Sequence, residues 1–298
     1  MQIKKVKIVL IGADGQLGTD LLKILQKKHN KVVVPLYFPD FDITKPHEAE
    51  KILININPEI IINTAAYNSV DEAEVNSISP FRINAIAVRD LALICRSIGS
   101  TLVHFSTDYV FNGEKKSPYI EEDPPKPISV YGVSKLAGEL FIQGVLKKYF
   151  IVRTCGLYGI AGCWGKRTNF VDTIISKERK GDKIKVVNDQ WITPTSTWEL
   201  AGKVEELCEK DLYGIYHLTN EGFCTWFEFA VEIFSQLKIN PKISSIDSES
   251  LNSKARRPAY SVLENKKAKK NGITGFSNWK EALRKYLKRK GHLKGGED

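Results

Sequence analysis

Residues Val6 to Thr19 read VKIVLIGADGQLGT, and this stretch constrains the fold more than any other. It opens with an apolar run, Val6 and Ile8 to Ile11, short and rich in branched residues. Such a run suits a strand buried on both faces of a parallel sheet. Gly12, Gly15 and Gly18 follow at the spacing G-x-x-G-x-x-G. Leu17, Leu21, Ile24 and Leu25 then recur at helical spacing up to Lys27 and Lys28. The order is therefore strand, glycine turn, helix. Gly12 permits the tight turn, Gly15 the close approach of a pyrophosphate, and Gly18 the contact of helix with strand. The helix N-terminus offers N–H groups and a positive dipole end to phosphates. In this context the motif predicts a dinucleotide site.

The same alternation continues. Lys31 to Leu36, Glu59 to Asn63, Thr101 to Phe105 and Phe150 to Arg153 read as strands. Helices are predicted after Pro46, over Phe81 to Ile98 up to Gly99, and over Tyr131 to Lys148. Strands alternating with helices predict an α/β fold, a Rossmann-like doubly wound parallel sheet. Ligands of such sheets lie beyond the carboxyl ends of the strands, which gathers Gly12–Gly18, Ala65–Tyr67 and Ser106–Asp108 around one crevice. Past Arg153 the pattern is irregular, with helices predicted over Asn169–Lys177, Trp198–Cys208, Phe227–Leu237 and Trp279–Lys288. The expected division is a dinucleotide-binding domain over residues 1–155 and a smaller α+β substrate-binding region over 156–298, some of it returning to the sheet.

Composition excludes several classes. The longest apolar runs are too short to span a bilayer. The lysine-rich, apolar N-terminus runs straight into the glycine turn and reads as a strand rather than a leader. Five cysteines, an odd number without C-x-x-C, argue against a disulfide framework or a zinc site and for a reducing cytoplasmic location. The histidines are scattered, so no metal site is predicted. The net charge of +9 is largely local, from Lys266 to Lys270 and Lys285 to Lys294, and reads as a solvated helical face. It lacks the aromatic interleaving of a nucleic-acid surface.

Chemistry enters with Tyr131-Gly132-Val133-Ser134-Lys135. The Y-x-x-x-K spacing sets tyrosine and lysine on one helical face. A nearby ammonium favours the phenolate form, which makes the tyrosine a usable proton donor and acceptor. Tyr286 and Lys290 repeat the spacing by chance. What distinguishes Tyr131 is order along the chain: a glycine turn, a strand ending in Ser106-Thr107, then the tyrosine and lysine.

These residues resemble an extended short-chain dehydrogenase/reductase, and within that superfamily the dTDP-4-dehydrorhamnose reductase family. The matching stretches are GADGQLG (Gly12–Gly18), NTAAYNSVDEAE (Asn63–Glu74), STDYVFNG (Ser106–Gly113), YGVSKLAGE (Tyr131–Glu139), NDQWITPT (Asn188–Thr195) and RRPAYSVL (Arg256–Leu263). The resemblance implies NADPH- or NADH-dependent reduction of the C4 keto group of a nucleotide-linked 4-keto-6-deoxy sugar. It implies that Gly12, Gly15, Gln16 and Leu17 hold the pyrophosphate, Asp42 and Ile43 the adenine side, and Ala65, Ala66 and Tyr67 the nicotinamide end. Thr107 and Asp108 would contact the sugar. Tyr131 would protonate the C4 oxygen, with Thr107 and Lys135 assisting and Lys135 also binding the ribose. Arg257 would serve the substrate or its diphosphate. Homodimer formation and any need for Mg²⁺ are left open.

Two departures stand out. Family members often carry an acid at the end of the second strand, where this chain has Pro35 and Leu36. The family's RTSW stretch is Arg153-Thr154-Cys155-Gly156 here, so its tryptophan is missing, and Trp164 on the next loop is the candidate replacement. Two other readings compete: an epimerase or dehydratase of the same superfamily, and a non-catalytic regulatory subunit. The dehydratases usually need an acidic pair after the strand-four threonine, whereas Thr107-Asp108-Tyr109 has a single acid. Retention of Thr107, Tyr131 and Lys135 argues against the regulatory subunit.

Overall fold

The computed structural model describes residues 5–162 and 168–293. Its frame is a parallel sheet of six strands: β1 (Val6–Ile11), β2 (Lys31–Leu36), β3 (Ile60–Asn63), β4 (Thr101–Thr107), β5 (Tyr149–Thr154) and β6 (Gly214–His217). Their spatial order is β2-β1-β3-β4-β5-β6. The winding reverses between β1 and β3, and this switch point is where doubly wound sheets open a crevice.

Helices cover both faces, because alternate residues of each strand point to opposite sides. Ile8, Leu10, Ile62, Val103 and Val152 bury against Leu17, Leu21 and Leu25 of α1 (Gln16–Leu25). Val9, Ile11, Ile61, Leu102 and Ile151 face the other layer. There they meet Ala49 and Leu53 of α2 (Pro46–Ile56), Val88 and Leu91 of α3 (Ala87–Ile98), and Ile142 of α4 (Val130–Val145). Truncating one such buried leucine to alanine costs ~2–5 kcal/mol.

Local chemistry sets the helix ends. Asn57 adopts a left-handed backbone and closes α2, and Pro58 follows it. Ser129 caps α4 by accepting the Gly132 N–H at 3.1 Å. The helix predicted over Phe81–Ile98 is not uniform. A turn at Ile78–Phe81 leads into a wider π-turn over Arg82–Ile86 before α3 begins. The wide turn carries Asn84 inward, where it is bound on three sides by the protein, as described below.

The second half of the chain contributes to this frame. β6 pairs in parallel with β5, Gly214 to His217 against Phe150 to Arg153. The helix α6 (Thr197–Leu207) packs Leu200, Val204 and Leu207 into the core that α1 shares. The remainder forms a smaller layer around α5 (Phe170–Arg179), α7 (Trp226–Leu237) and α8 (Trp279–Arg289). Its core is Tyr158, Val171, Phe229, Trp279, Leu283 and Tyr286. Short strand pairs brace it, such as Leu157–Tyr158 beside Thr195–Ser196. Among the described residues no helix is long and apolar enough to cross a membrane.

Candidate active site

A cleft of 460 Å³ opens at the carboxyl ends of β1, β3 and β4. It is lined by Gly12, Gly15, Gln16 and Leu17, by Asp42 and Ile43, by Ala65 and Ala66, and by Thr107, Asp108, Tyr131 and Lys135. Gly156 and Leu157 close the far side. Twelve of the residues singled out from sequence thus meet in one place.

The glycine-turn end of the cleft follows from backbone geometry. Gly12 has φ +74°, and a Cβ on Gly18 would overlap the Gly12 carbonyl oxygen. The helix α1 starts from Gly15 with no side chain capping it and no acid in its first turn. An uncapped helix N-terminus at a cleft is a ready anion site. Buried polar atoms on the lining also lack protein partners: Gln16 Oε1, Ser106 Oγ and Thr154 Oγ1. Unsatisfied buried groups are costly, so they point to a ligand that completes them. The cleft therefore fits an elongated, phosphate-bearing molecule. Elsewhere on the lining, Asp42 Oδ1 is committed to a local turn, accepting the Thr44 N–H and hydroxyl, each at 2.8 Å.

Tyr131 and Lys135 stand one turn apart on α4, both nearly fully buried. The ring of Tyr109 meets that of Tyr131 edge-on at 5.8 Å. Lys135 Nζ donates to the Phe105 carbonyl at 2.6 Å and lies 3.5 Å from His104 Nε2. Burial pushes the lysine down to about 8, while Glu139 acts in the opposite sense. Thr107 Oγ1 accepts the Tyr109 N–H at 3.2 Å and donates to Asp108 Oδ1 at 3.0 Å. It is thus a turn cap as well as a lining group. Asp108 also accepts the Cys155 thiol at 3.0 Å, and burial raises its carboxyl above the usual range.

Two nominated residues lie off the cleft lining. Tyr67 is half-buried, and its backbone N–H and carbonyl both bond Asn84, at 2.9 and 3.1 Å. Asn68 lines the cleft instead. Arg257 is paired with Asp71 at 2.7 Å. Trp164 falls outside the described residues. The position that lacks the family tryptophan has its own explanation. Gly156 has φ +56°, and a Cβ there would crowd Thr193 O at 3.1 Å. A side chain at that turn is strained whatever its size.

Sequence reading missed the supports beneath the site. Asn84 also donates to Ser134 Oγ at 3.0 Å, and that hydroxyl donates to the Tyr131 carbonyl at 2.8 Å. Glu139 and Arg153 form a fully buried ion pair at 2.6 Å, one turn beyond Lys135. Asn63 and His104 form a buried bond at 3.2 Å between the end of β3 and the middle of β4. The available signal was a polar residue interrupting an apolar run, Asn63 after Ile60 to Ile62 and His104 between Val103 and Phe105. Among the described residues no group of three His, Cys, Asp or Glu side chains is arranged to hold a metal.

The family described as RmlD substrate binding domain matches residues 6–291. The chain belongs to this family. The spore coat polysaccharide biosynthesis protein SpsK of Bacillus subtilis is 38% identical, over 94% of this chain and 96% of its own. A dTDP-4-dehydrorhamnose reductase structure from Clostridium acetobutylicum superposes with a TM-score of 0.91 at 40% identity, covering 95% of this chain and 99% of that one. The Bacillus anthracis dTDP-4-dehydrorhamnose reductase, solved in complex with NADP, gives 0.91 at 37% identity, with 96% and 99% covered. The family and the Rossmann-like fold are those expected from the motifs.

Proposed function

We propose that this chain is an NAD(P)H-dependent reductase of the C4 keto group of a nucleotide-linked 4-keto-6-deoxy sugar. The relatives favour dTDP-4-dehydrorhamnose, reduced to dTDP-rhamnose. The observation that carries the reading is the meeting, in one cleft, of an uncapped helix N-terminus with Tyr131 and Lys135.

Gly12, Gly15, Gln16 and Leu17 would hold the pyrophosphate, Asp42 and Ile43 the adenine side, and Ala65, Ala66 and the Tyr67 segment the nicotinamide end. The bound cofactor supplies a hydride to C4. Tyr131 gives its hydroxyl proton to the C4 oxygen. Lys135 stabilises the phenolate that results and binds the ribose. Thr107 and Asp108 orient the sugar, while Arg257, held by Asp71 off the lining, is left a structural role. The four described cysteines are free thiols, which suits the reducing cytoplasm.

The test is direct. Purified protein with NADPH or NADH and dTDP-4-dehydrorhamnose should lose absorbance at the reduced nicotinamide band, and the sugar nucleotide should gain two hydrogens. A product of unchanged mass would mean epimerisation, and a loss of water dehydration. No turnover with either cofactor would return the regulatory-subunit reading.

A further inference from the structure

Behind Lys135 runs a buried chain of polar groups that the reaction outlined above does not use. Asn63, at the end of β3, faces His104, in the middle of β4, in register. Both are 1% exposed, and each interrupts an apolar run, Asn63 after Ile60 to Ile62 and His104 between Val103 and Phe105. Polar groups in such a place are costly unless each hydrogen bond is made. Asn63 Oδ1 accepts the N–H of Ala65 at 3.1 Å, on the segment that lines the cleft. Its Nδ2 lies 3.2 Å from His104 Nδ1. The other imidazole nitrogen, Nε2, lies 3.5 Å from Lys135 Nζ.

Donor and acceptor roles follow by elimination. The Ala65 N–H can only donate, so it fixes Asn63 Oδ1 as acceptor and Nδ2 as donor. His104 Nδ1 must then accept, and the ring proton of the neutral imidazole sits on Nε2, pointing at Lys135. Reversing the tautomer would turn the Asn63 amide nitrogen against the Ala65 N–H. Burial holds His104 well below its ordinary value, and the neighbouring lysine charge adds to this, so the ring stays neutral.

A charged Lys135 has three N–H donors, and one would face another N–H. A neutral Lys135 has two donors and a lone pair. One donor goes to the Phe105 carbonyl, the other to the cleft, and the lone pair accepts from His104 Nε2. We propose that His104 is a positioning residue for proton transfer: its tautomer, locked by Asn63, supports the neutral form of Lys135 and so lets that lysine exchange a proton with Tyr131. This rests on Tyr131 and Lys135 being the proton-donating pair. The protons balance. Tyr131 gives one to the C4 oxygen, Lys135 returns one to the phenolate and becomes neutral, and water in the cleft restores it.

Other charged and titratable groups around Lys135 are accounted for. On α4, Tyr131 precedes it by a turn and Glu139 follows by a turn, and Glu139 is paired with Arg153 of β5. Asp108 lies just past β4, hydrogen-bonded to Thr107 and Cys155. Tyr109 packs on Tyr131, and Glu74 accepts the Val130 N–H at the start of α4. None of these fixes the imidazole tautomer.

The test uses the full chain labelled with ¹⁵N-histidine and ¹³Cε-lysine, with His104→Gln and Lys135→Arg to assign the signals. His104 should carry its proton on Nε2 and remain neutral throughout the Lys135 titration. The Lys135 signal should titrate near 8. Asn63→Asp demands a proton on Nδ1, so it should move the His104 proton and raise the Lys135 midpoint by about one pH unit, tenfold in proton affinity. The basic limb of kcat/KM should move with it. The double variant Asn63→Asp/His104→Gln should lose most of that shift, which separates relay through the ring from direct attraction by the new carboxylate. A proton on Nδ1 in the wild type, or an equal lysine shift in the double variant, would overturn the proposal. If the wild type shows no reductase activity, the functional reading fails, while the two NMR titrations still decide the link from His104 to Lys135.

Discussion

The wall of the cleft that carries Gly12, Ala65 and Tyr131 rises from the ends of long strands paired on both sides, with helices covering both faces. The opposite wall, at Gly156 and Leu157, hangs on two-residue strand pairs and irregular chain. The first wall holds its side chains through buried bonds to neighbours: Lys135 to Phe105, Asn84 to Tyr67, Glu139 to Arg153. The second depends on backbone conformation at single residues such as Gly156. Proton transfer needs donors held to fractions of an ångström, and interior strands buried between two helical layers supply that. Choice of sugar needs only a shaped wall, and short segments change shape without disturbing the core. Substitutions on the first wall should therefore strike turnover or global stability, and those on the second should strike substrate affinity.

The sharpest break of that contrast is Tyr131→Phe. It keeps the ring and removes the acid, so turnover should fall ~10²–10⁴-fold while cofactor titration is unchanged. Tyr286→Phe is the control. Its hydroxyl donates to Asp172 at 2.8 Å, far from the cleft lining, so it should cost stability and leave turnover alone. Equal losses of turnover at both positions would reject Tyr131 as the acid. Next comes Glu139→Ala, which strands Arg153 in the core. Breaking a buried pair typically costs ~3–5 kcal/mol, readable as a lower urea midpoint. A loss below 1 kcal/mol, on the order of a surface pair, would mean that the first wall is not held as described.

The second wall should respond more mildly. Gly156→Ala places a Cβ at left-handed φ, a cost of ~1–2 kcal/mol, and should raise KM for the sugar nucleotide without weakening NAD(P)H. A change in cofactor affinity instead would show that the two walls are not separable. Cofactor choice should be loose. The end of β2 carries Pro35 and Leu36 where an acid would reject the ribose 2′-phosphate, and among the described lining residues no arginine selects for it. NADH and NADPH should bind within about tenfold, ~1.4 kcal/mol, by fluorescence titration. The smallest effect is expected at Arg257→Ala. The Arg257 hydrogen bond holds Asp71 well below the usual carboxylate range. A depressed carboxyl contributes stability above its unfolded value and loses it as pH falls. For a pair whose acid is 46% exposed, the contribution should be ~0.2–1 kcal/mol, present near pH 7 and fading below about pH 4. A rise in KM for the nucleotide sugar with kcat unchanged would place Arg257 on the diphosphate.

Legibility in the sequence follows the same division. Short, continuous apolar runs, glycines at fixed spacing and Y-x-x-x-K announce the first wall, because each signal is confined to a few neighbouring residues. The π-turn at Arg82–Ile86 was hidden, since an apolar helical pattern continues through it and its cause, Asn84 on Tyr67, lies 17 residues away. Asn63, His104 and Lys135 were likewise unreadable as a unit, being joined across 41 and 31 residues. Arg257 illustrates the converse. The motif names it, but the sequence does not disclose that Asp71, 186 residues earlier, already holds its guanidinium. Trp164 lies outside the described residues.

The pairing of β6 with β5 has a consequence for the way this chain is born. β5 ends at Thr154, and its partner begins only at Gly214. A ribosome adding ~5–20 residues per second needs roughly 3–12 s to make the chain between them. During that interval the emerging protein carries β1 to β5 and the glycine turn but presents β5 as an open edge, a row of unpaired N–H and C=O groups that invites another strand. The apolar face that α6 will cover is bare for most of that interval, until Leu207 is made. Translation speed across this span, and whatever chaperone meets the nascent chain there, therefore bear on yield as directly as the stability of the finished fold.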